Sequence, residues 1–346
     1  MGYSISAIFP GDRRSQQQVD TLLQQEGIRR DKNLAYTCGV YDEDMTLLAT
    51  GSSFGNTLRC LAVSSDHRGE GLMNLVVTHL LEKQMTMGNT RVFLYTKSKN
   101  ACIFADLGFY EIARTEDGLS FMENRRDGFK RYLTDLAKTR RPGRCAAIVM
   151  NANPFTFGHR HLVETAAAEN DWLHLFLLSE EAGPIPFALR KRLVQEGTAD
   201  LSNVILHDSG PYIISSATFP SYFLRDEDAA ILAHARLDLA IFQQIAKALD
   251  IFARYVGEER SSHVTRLYNE TMAALLPQKG VEFHEIPRLQ LNGEIVSASS
   301  VRQAIHDGQL EKAAFMLPES SLRYFESDEA EPVIKAIRAM DEARHY

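Results

Sequence analysis

Residues 145–159 read Cys145-Ala146-Ala147-Ile148-Val149-Met150-Asn151-Ala152-Asn153-Pro154-Phe155-Thr156-Phe157-Gly158-His159, and their pattern decides the fold. Cys145–Met150 is a short, uninterrupted apolar run, as in a strand buried on both faces of a parallel sheet. Pro154 sets the approach to a turn. Gly158 lets a ligand come close to the backbone. Leu162, Val163 and Ala166 then supply the apolar face of a helix that opens at once. A strand running into a turn and a helix start presents free N–H groups and the positive end of the helix dipole, a setting suited to phosphate. His159 projects toward that position, where an imidazole can donate a hydrogen bond to developing negative charge.

Downstream the pattern alternates. Strand Leu173–Ser179 is followed by helix Phe187–Ala199, strand Val204–His207, helix Glu227–Leu249 and strand Ile251–Val256. Such alternation predicts an α/β fold, a parallel sheet with helices on both faces and ligands at the carboxyl ends of its strands. Upstream, strands are expected at Ala35–Tyr41, Thr46–Ser52, Thr57–Val63 and Arg91–Thr96, with helices at Ser15–Glu26 and Leu72–Met87. Between the halves, Phe129, Tyr132, Leu133 and Leu136 have helical spacing, and Arg140-Arg141-Pro142-Gly143-Arg144 makes a basic turn. The expected division is a first domain over 1–135, a linker over 136–144 and a second domain over 145–346. The acidic stretch from Glu319 to Tyr346 is expected to form covering helices.

The chain has 346 residues, enough for two domains. Hydrophobic residues make up 45% and charged residues 24%, which excludes a wholly disordered chain. Lys and Arg number 38 against 45 Asp and Glu; the net charge of -7 argues against a dedicated nucleic-acid binder. No apolar run approaches the ~18–20 residues of a membrane span, and the first ten residues are too short and uncharged for a secretory signal. Cys38, Cys60, Cys102 and Cys145 form no CxxC pair and sit beside apolar neighbours. They read as reduced, buried thiols of a cytoplasmic protein, and no metal-ligand cluster is visible.

Thr156-Phe157-Gly158-His159, after a strand and Pro154-Phe155, resembles the T/H-x-G-H signature of the nucleotidyltransferase superfamily. That superfamily has a cytidylyltransferase-like, Rossmann-like domain of the HUP type. Its second signature, S-x-S-x-x-R, is matched by Ser297, Ser299, Ser300 and Arg302 ahead of a further helix. Serine hydroxyls at a helix start and a permanently charged guanidinium suit a triphosphate. Tyr255-Val256-Gly257-Glu258-Glu259-Arg260 resembles the V-G-x-E element that borders adenine and ribose. The resemblance implies catalytic roles for His159, Thr156 and Arg302. It implies ATP contacts at Asn153, Pro154, Phe155, Gly158, Gly257, Glu259, Ser297, Ser299 and Ser300. Mg²⁺ would ride on the phosphates, with no protein metal site.

In the first half, Arg68-Gly69-Glu70-Gly71 ahead of an apolar helix resembles the pyrophosphate loop of GNAT N-acetyltransferases, although Met73 stands where a small residue is usual. Asn100 to Phe109, ending Leu107-Gly108-Phe109, resembles the closing motif of that family. Phe104 occupies the place of the tyrosine that serves many members as general acid, and it has no proton to give. This half therefore resembles a binding module for a coenzyme A-like group, with Arg68, Gly69 and Gly71 as candidate contacts.

A GNAT-like half placed before a nucleotidyltransferase half resembles one family, citrate lyase ligase, across essentially the whole chain. The resemblance implies activation of acetate by ATP to acetyl-adenylate and pyrophosphate. The acetyl group would then pass to the thiol of the coenzyme A-like prosthetic arm on the citrate lyase acyl carrier subunit, releasing AMP. Alternative readings are a conventional adenylyltransferase acting on a phosphorylated cofactor precursor, a working acetyltransferase with a regulatory nucleotide domain, and a nucleotide sensor. For the acetate pocket, the stretch Ser209–Arg225 and the cations Arg190, Lys191, Arg192 and Arg225 are the candidates.

Overall fold

The computed structural model describes residues 2–181, 183–213, 219, 227–259 and 262–340. The chain divides into two compact units, Met1–Arg131 with Phe219–Ala240, and Tyr132–Thr218 with Ile241–Tyr346.

The first unit contains β1 (Ser4–Ala7), α1 (Arg13–Gln25), β2 (Tyr36–Tyr41), β3 (Leu47–Phe54), β4 (Thr57–Val63), α2 (Leu72–Thr86), β5 (Phe93–Lys97), α3 (Ala101–Asp106), β6 (Tyr110–Arg114) and β7 (Leu119–Glu123). Its sheet runs β1-β2-β3-β4-β5-β7-β6. Neighbours are antiparallel except β4 and β5, which run parallel and pair only at Thr57–Phe93 and Leu58–Leu94. Beyond those two pairs the strands part, leaving the carboxyl half of β4 unpaired on that side. The sheet is thus mixed, with one parallel pair among antiparallel neighbours. Val76, Val77 and Leu80 of α2 bury against Leu48, Ala49, Leu58 and Leu94. Phe104 lies in the same core, so its ring supports α3 and carries no acid function.

The thiols differ in one place from the sequence expectation. Cys38, Cys60 and Cys145 are buried, but Cys102 is exposed. On α3 the inward residues are Ala101 and Phe104, one turn apart, which leaves Cys102 on the outer face.

The helix α4 (Gly128–Ala137) leads into the second unit. There follow β8 (Cys145–Met150), α5 (Phe157–Glu169), β9 (Trp172–Leu177), α6 (Phe187–Gly197), β10 (Val204–Asp208), α7 (Glu227–Leu249), whose residues up to Ala240 belong to the first unit, β11 (Ile251–Gly257), α8 (His263–Leu275) and β12 (Glu282–Ile286). A small hairpin of β13 (Gln290–Leu291) and β14 (Glu294–Ile295) precedes α9 (Ala298–His306), α10 (Glu319–Phe325) and α11 (Glu331–Arg338). The five-stranded sheet is parallel throughout, in the order β10-β9-β8-β11-β12. From β8 the chain steps outward to β9 and β10, then returns to place β11 on the other side. The strand order therefore reverses beside β8, where such sheets hold their ligands.

Alternate residues of each strand face one way. Ala146, Ile148 and Met150 share a core with Leu173, Leu175 and Leu177 of β9, with Val163 and Ala166 of α5, and with Val301 and Ile305 of α9. Each fully buried Leu or Ile contributes ~1.5–3 kcal/mol. Val333 and Ile337 of α11 join this core, so the described C-terminal helices cover it. Among the described residues no helix is long and apolar enough to cross a membrane.

On the opposite face, His174 of β9 and His207 of β10 are buried with Nδ1 of the first 2.9 Å from Nε2 of the second. The ring of Phe176 stacks on His207 at 4.8 Å. Burial pushes His174 down to about 4 and His207 down to about 3, so both are neutral in the folded protein. Unfolded, each takes up a proton as the pH falls through ~6.5. The stability contributed by this pair is therefore present above about pH 6.5 and is lost as the pH falls toward the folded values. Denaturant midpoints should drop between pH 7 and 5, and His207→Phe should flatten that fall. An unchanged pH slope in the variant would refute the assignment.

Candidate active site

The turn after β8 is held from several directions. Arg190 of α6 is buried and donates to the Asn151 carbonyl at 2.8 Å and the Asn151 Oδ1 at 2.9 Å. It also donates to the carbonyls of Leu178 (2.9 Å), Glu180 (2.6 Å) and Ile185 (3.1 Å). This guanidinium is thus engaged on the main chain after β8 and β9. Ser321 of α10 donates to the Phe155 carbonyl at 2.8 Å. The side chain of Asn153 is buried, with neither Nδ2 nor Oδ1 hydrogen-bonded to any of the described residues. A Cβ on Gly183 would lie 2.1 Å from that Nδ2, so a larger residue there would require the Asn153 side chain to move.

Thr156 is the N-cap of α5 in a capping box of Thr-x-x-His form. The Thr156 backbone N–H donates to Nδ1 of His159 at 3.1 Å, and the Thr156 hydroxyl lies 2.9 Å from the same nitrogen. Because Nδ1 accepts, the proton of the neutral ring sits on Nε2. Enclosure, and after it the charges of Arg288 and Arg302, push His159 down to about 4. The site therefore holds a neutral imidazole that offers Nε2–H as a donor at the start of a helix.

The second motif begins at Ser297, the N-cap of α9, whose hydroxyl accepts from the Ser300 N–H at 3.0 Å. The Ser299 and Ser300 hydroxyls lie 3.0 and 2.8 Å from it. Arg302, one turn into the helix, is 2% exposed and donates from Nη1 to the Asn153 carbonyl at 2.6 Å. Burial lowers it to about 10, which leaves it a cation at neutral pH. The two motifs also meet through backbone: a Cβ on Gly158 would lie 3.2 Å from the Val296 carbonyl. His159, Thr156, Asn153, Gly158, Ser297 and Arg302 are thus brought together.

Gly257 ends β11, and its carbonyl accepts from Asn269 at 3.1 Å. Glu259 accepts from the Ser262 N–H at 3.0 Å and pairs with Arg288. Arg288 lies two residues beyond β12, and sequence reasoning missed it. Its signal was Glu285-Ile286-Pro287-Arg288, a strand end closed by proline, but β12 is half exposed and lacks an apolar run. Of the acetate candidates, Lys191 pairs with Asp208 at 2.7 Å and Arg192 with Glu329 at 2.9 Å. Arg225 and most of 214–225 lie outside the described residues, as does Arg260. Among the described residues, no group of three or more His, Cys, Asp or Glu could hold a metal ion.

In the first unit, Gly69 and Gly71 adopt φ of 87° and 77°, the left-handed region that favours glycine, and Gly71 leads into α2. Arg68 pairs with Glu26, which also accepts the Ser65 N–H at 2.9 Å. A carboxylate of the chain itself thus engages this loop.

A family model described as the citrate lyase ligase C-terminal domain matches residues 145–325. The [citrate [pro-3S]-lyase] ligase of Klebsiella pneumoniae is 37% identical over 90% of this chain and 93% of its own length. The protein of the same name from Escherichia coli is 38% identical over 82% of this chain and 83% of its own. Among solved structures, the ribosomal-protein-S18-alanine N-acetyltransferase of Escherichia coli aligns with 35% of this chain and 92% of its own, at 18% identity and a TM-score of 0.28. With such identity extending over most of both chains, this protein belongs to the citrate lyase ligase family.

Proposed function

We propose that the protein uses ATP and acetate to acetylate the prosthetic-arm thiol of the citrate lyase acyl carrier subunit. Membership of the family makes it a ligase, and the conventional adenylyltransferase reading is not favoured. The observation that carries the proposal is the neutral His159 at the start of α5, with Nε2–H as its donor and Arg302 beneath the same turn. In the first step an acetate oxygen attacks the α-phosphorus of ATP, the bond to the β-phosphate oxygen breaks, and pyrophosphate leaves. In the second the thiol, giving up its proton, attacks the acetyl carbon and AMP leaves.

Neither step needs a protein nucleophile, so the chain's work is alignment and charge neutralisation. The His159 Nε2–H would donate to the oxygen that gains charge as pyrophosphate departs. The starts of α5 and α9, the Ser299 and Ser300 hydroxyls and Arg302 would hold the β- and γ-phosphates. Mg²⁺ would arrive with the triphosphate as part of the substrate. Gly257 would border the nucleoside at the carboxyl end of β11.

Arg68, Gly69 and Gly71 would hold the pyrophosphate of the arm in the first unit, displacing Glu26 from Arg68. The deciding experiment is product analysis with ATP, labelled acetate and thiol-form citrate lyase. AMP together with acetyl-protein supports the reading, and AMP attached to a small acceptor overturns it. Arg68→Glu in the full chain should spare acetate-dependent ATP–pyrophosphate exchange and weaken acetyl transfer to the lyase. Equal loss of both activities, or no loss of transfer, would remove the arm from this loop.

A further inference from the structure

We infer that Arg288 is a further cationic contact for the ATP triphosphate and that Glu259 is the residue that positions it. The inference rests on the adenylation reading above and adds two roles to it.

The placement comes from the sheet edge. Ile286 pairs with Gly257 at the ends of β12 and β11, so the residues that follow emerge at the carboxyl edge of the sheet. Pro287 ends the strand, and Arg288 is the next residue. One residue on, the Leu289 carbonyl accepts the Val296 N–H at 3.0 Å, immediately before the cap of α9. The Val296 carbonyl is the group against which Gly158 packs. Arg288 is therefore tied through short backbone links to both phosphate motifs.

Its guanidinium is held on two sides. Nε donates to the Glu258 carbonyl at 2.8 Å, and Nη2 pairs with the Glu259 carboxylate. Glu259 is itself fixed by the Ser262 N–H. Nη1 has no hydrogen-bond partner among the described residues, which leaves one edge of the planar fork for a ligand. Glu259, expected from the sequence to contact the nucleotide, is thereby occupied as a brace for Arg288.

The ligand class follows from charge. Arg288 and Arg302 both act on the His159 ring as positive charges. Glu259 offsets part of the Arg288 charge, and the buried Arg302 adds a second cation near the half-buried imidazole, so an anion is favoured beside the open edge of Arg288. The starts of α5 and α9 add partial positive charge at the same place. A triphosphate matches this multiplicity of positive groups, whereas acetate carries a single charge.

The test is acetate-dependent ATP–pyrophosphate exchange by the full-length enzyme, with Arg288→Met, Arg288→Lys and Glu259→Gln. Arg288→Met should lower kcat/KM for ATP by ~10²-fold, the scale for losing one oriented electrostatic group, with KM for acetate unchanged. Arg288→Lys keeps the charge without the fork and should recover part of that loss. Should the methionine variant not fold, the lysine variant decides, with an expected loss of ~10-fold. Glu259→Gln should reduce the rate less than Arg288→Met, and Arg288→Met should cancel any further effect of Glu259→Gln in the double variant. Ring-labelled NMR of the ligand-free enzyme should show His159 titrating at higher pH in Arg288→Met, as expected of a guanidinium close to that ring, while the split between ATP and acetate kinetics separates a triphosphate contact from a purely structural role. ATP kinetics unchanged in a folded Arg288→Met protein would overturn the inference, and so would a change confined to acetate. A Glu259→Gln enzyme equal to wild type would overturn the bracing role. Absence of acetate-dependent exchange in the wild type would instead overturn the reading on which this rests.

Discussion

Alanine at position 159 should lower kcat by ~10²-fold or more in acetate-dependent ATP–pyrophosphate exchange, the usual scale for removing one oriented donor. The loss should fall on kcat rather than on ATP binding, because the donor matters most when pyrophosphate gains charge. The imidazole also serves the fold: its Nδ1 accepts the Thr156 N–H and completes the cap of α5. Its removal should therefore cost ~0.3–1.5 kcal/mol of stability. Glutamine at 159 can restore the acceptor, as in an ordinary capping box, without the reach of Nε2–H. His159→Gln should thus regain stability while turnover stays low. A folded His159→Ala enzyme with near-normal kcat would remove the imidazole from the mechanism.

Arg302→Ala should give the second large effect, and a mixed one. Arg302 is buried and donates to the Asn153 carbonyl, so truncation leaves that acceptor without this donor. Leaving a buried polar group unsatisfied costs ~1–3 kcal/mol. Because the turn it supports carries Thr156 and His159, ATP use should fall together with thermal stability. Arg302→Lys should retain the charge and lose the planar fork, weakening ATP use with little change in acceptor binding. Steady-state kinetics paired with thermal unfolding separates the two contributions. Unchanged ATP kinetics in Arg302→Ala would make the residue purely structural.

Much of the second unit was legible in the sequence because its signals are local. Cys145–Met150 forms with the expected bounds, as do Thr57–Val63 of the first unit and Glu227–Leu249, which runs from the first unit into the second. Their apolar period and flanking turn residues leave little choice of element. The motif at Thr156–His159 was legible for the same reason, since strand, turn and helix are consecutive. What escaped depends on pairing between distant segments. β12 is an edge strand with exposed and half-buried residues, so no apolar run announces it, and with it Arg288 stayed hidden. The Arg190 clamp was equally unreadable, because its acceptors are main-chain carbonyls, which every residue possesses. The outward face of Cys102 follows from the rotation of a six-residue helix, too short to show a period.

The first unit includes Phe219–Ala240, a stretch that the chain reaches only after β8, α5, β9, α6 and β10. During synthesis, neither unit can be completed in simple order. The first lacks a segment until residue 240 has emerged, and the second lacks β11, the partner of β8, until later still. Pairings between such distant segments carry a loop-closure penalty and slow folding. A cut at the basic turn near 140 would therefore deprive the amino-terminal fragment of part of its own unit, and the two fragments should be poorer folders than the intact chain. Chaperone dependence and aggregation of nascent chains should peak before residue 240 and decline once β11 has been made.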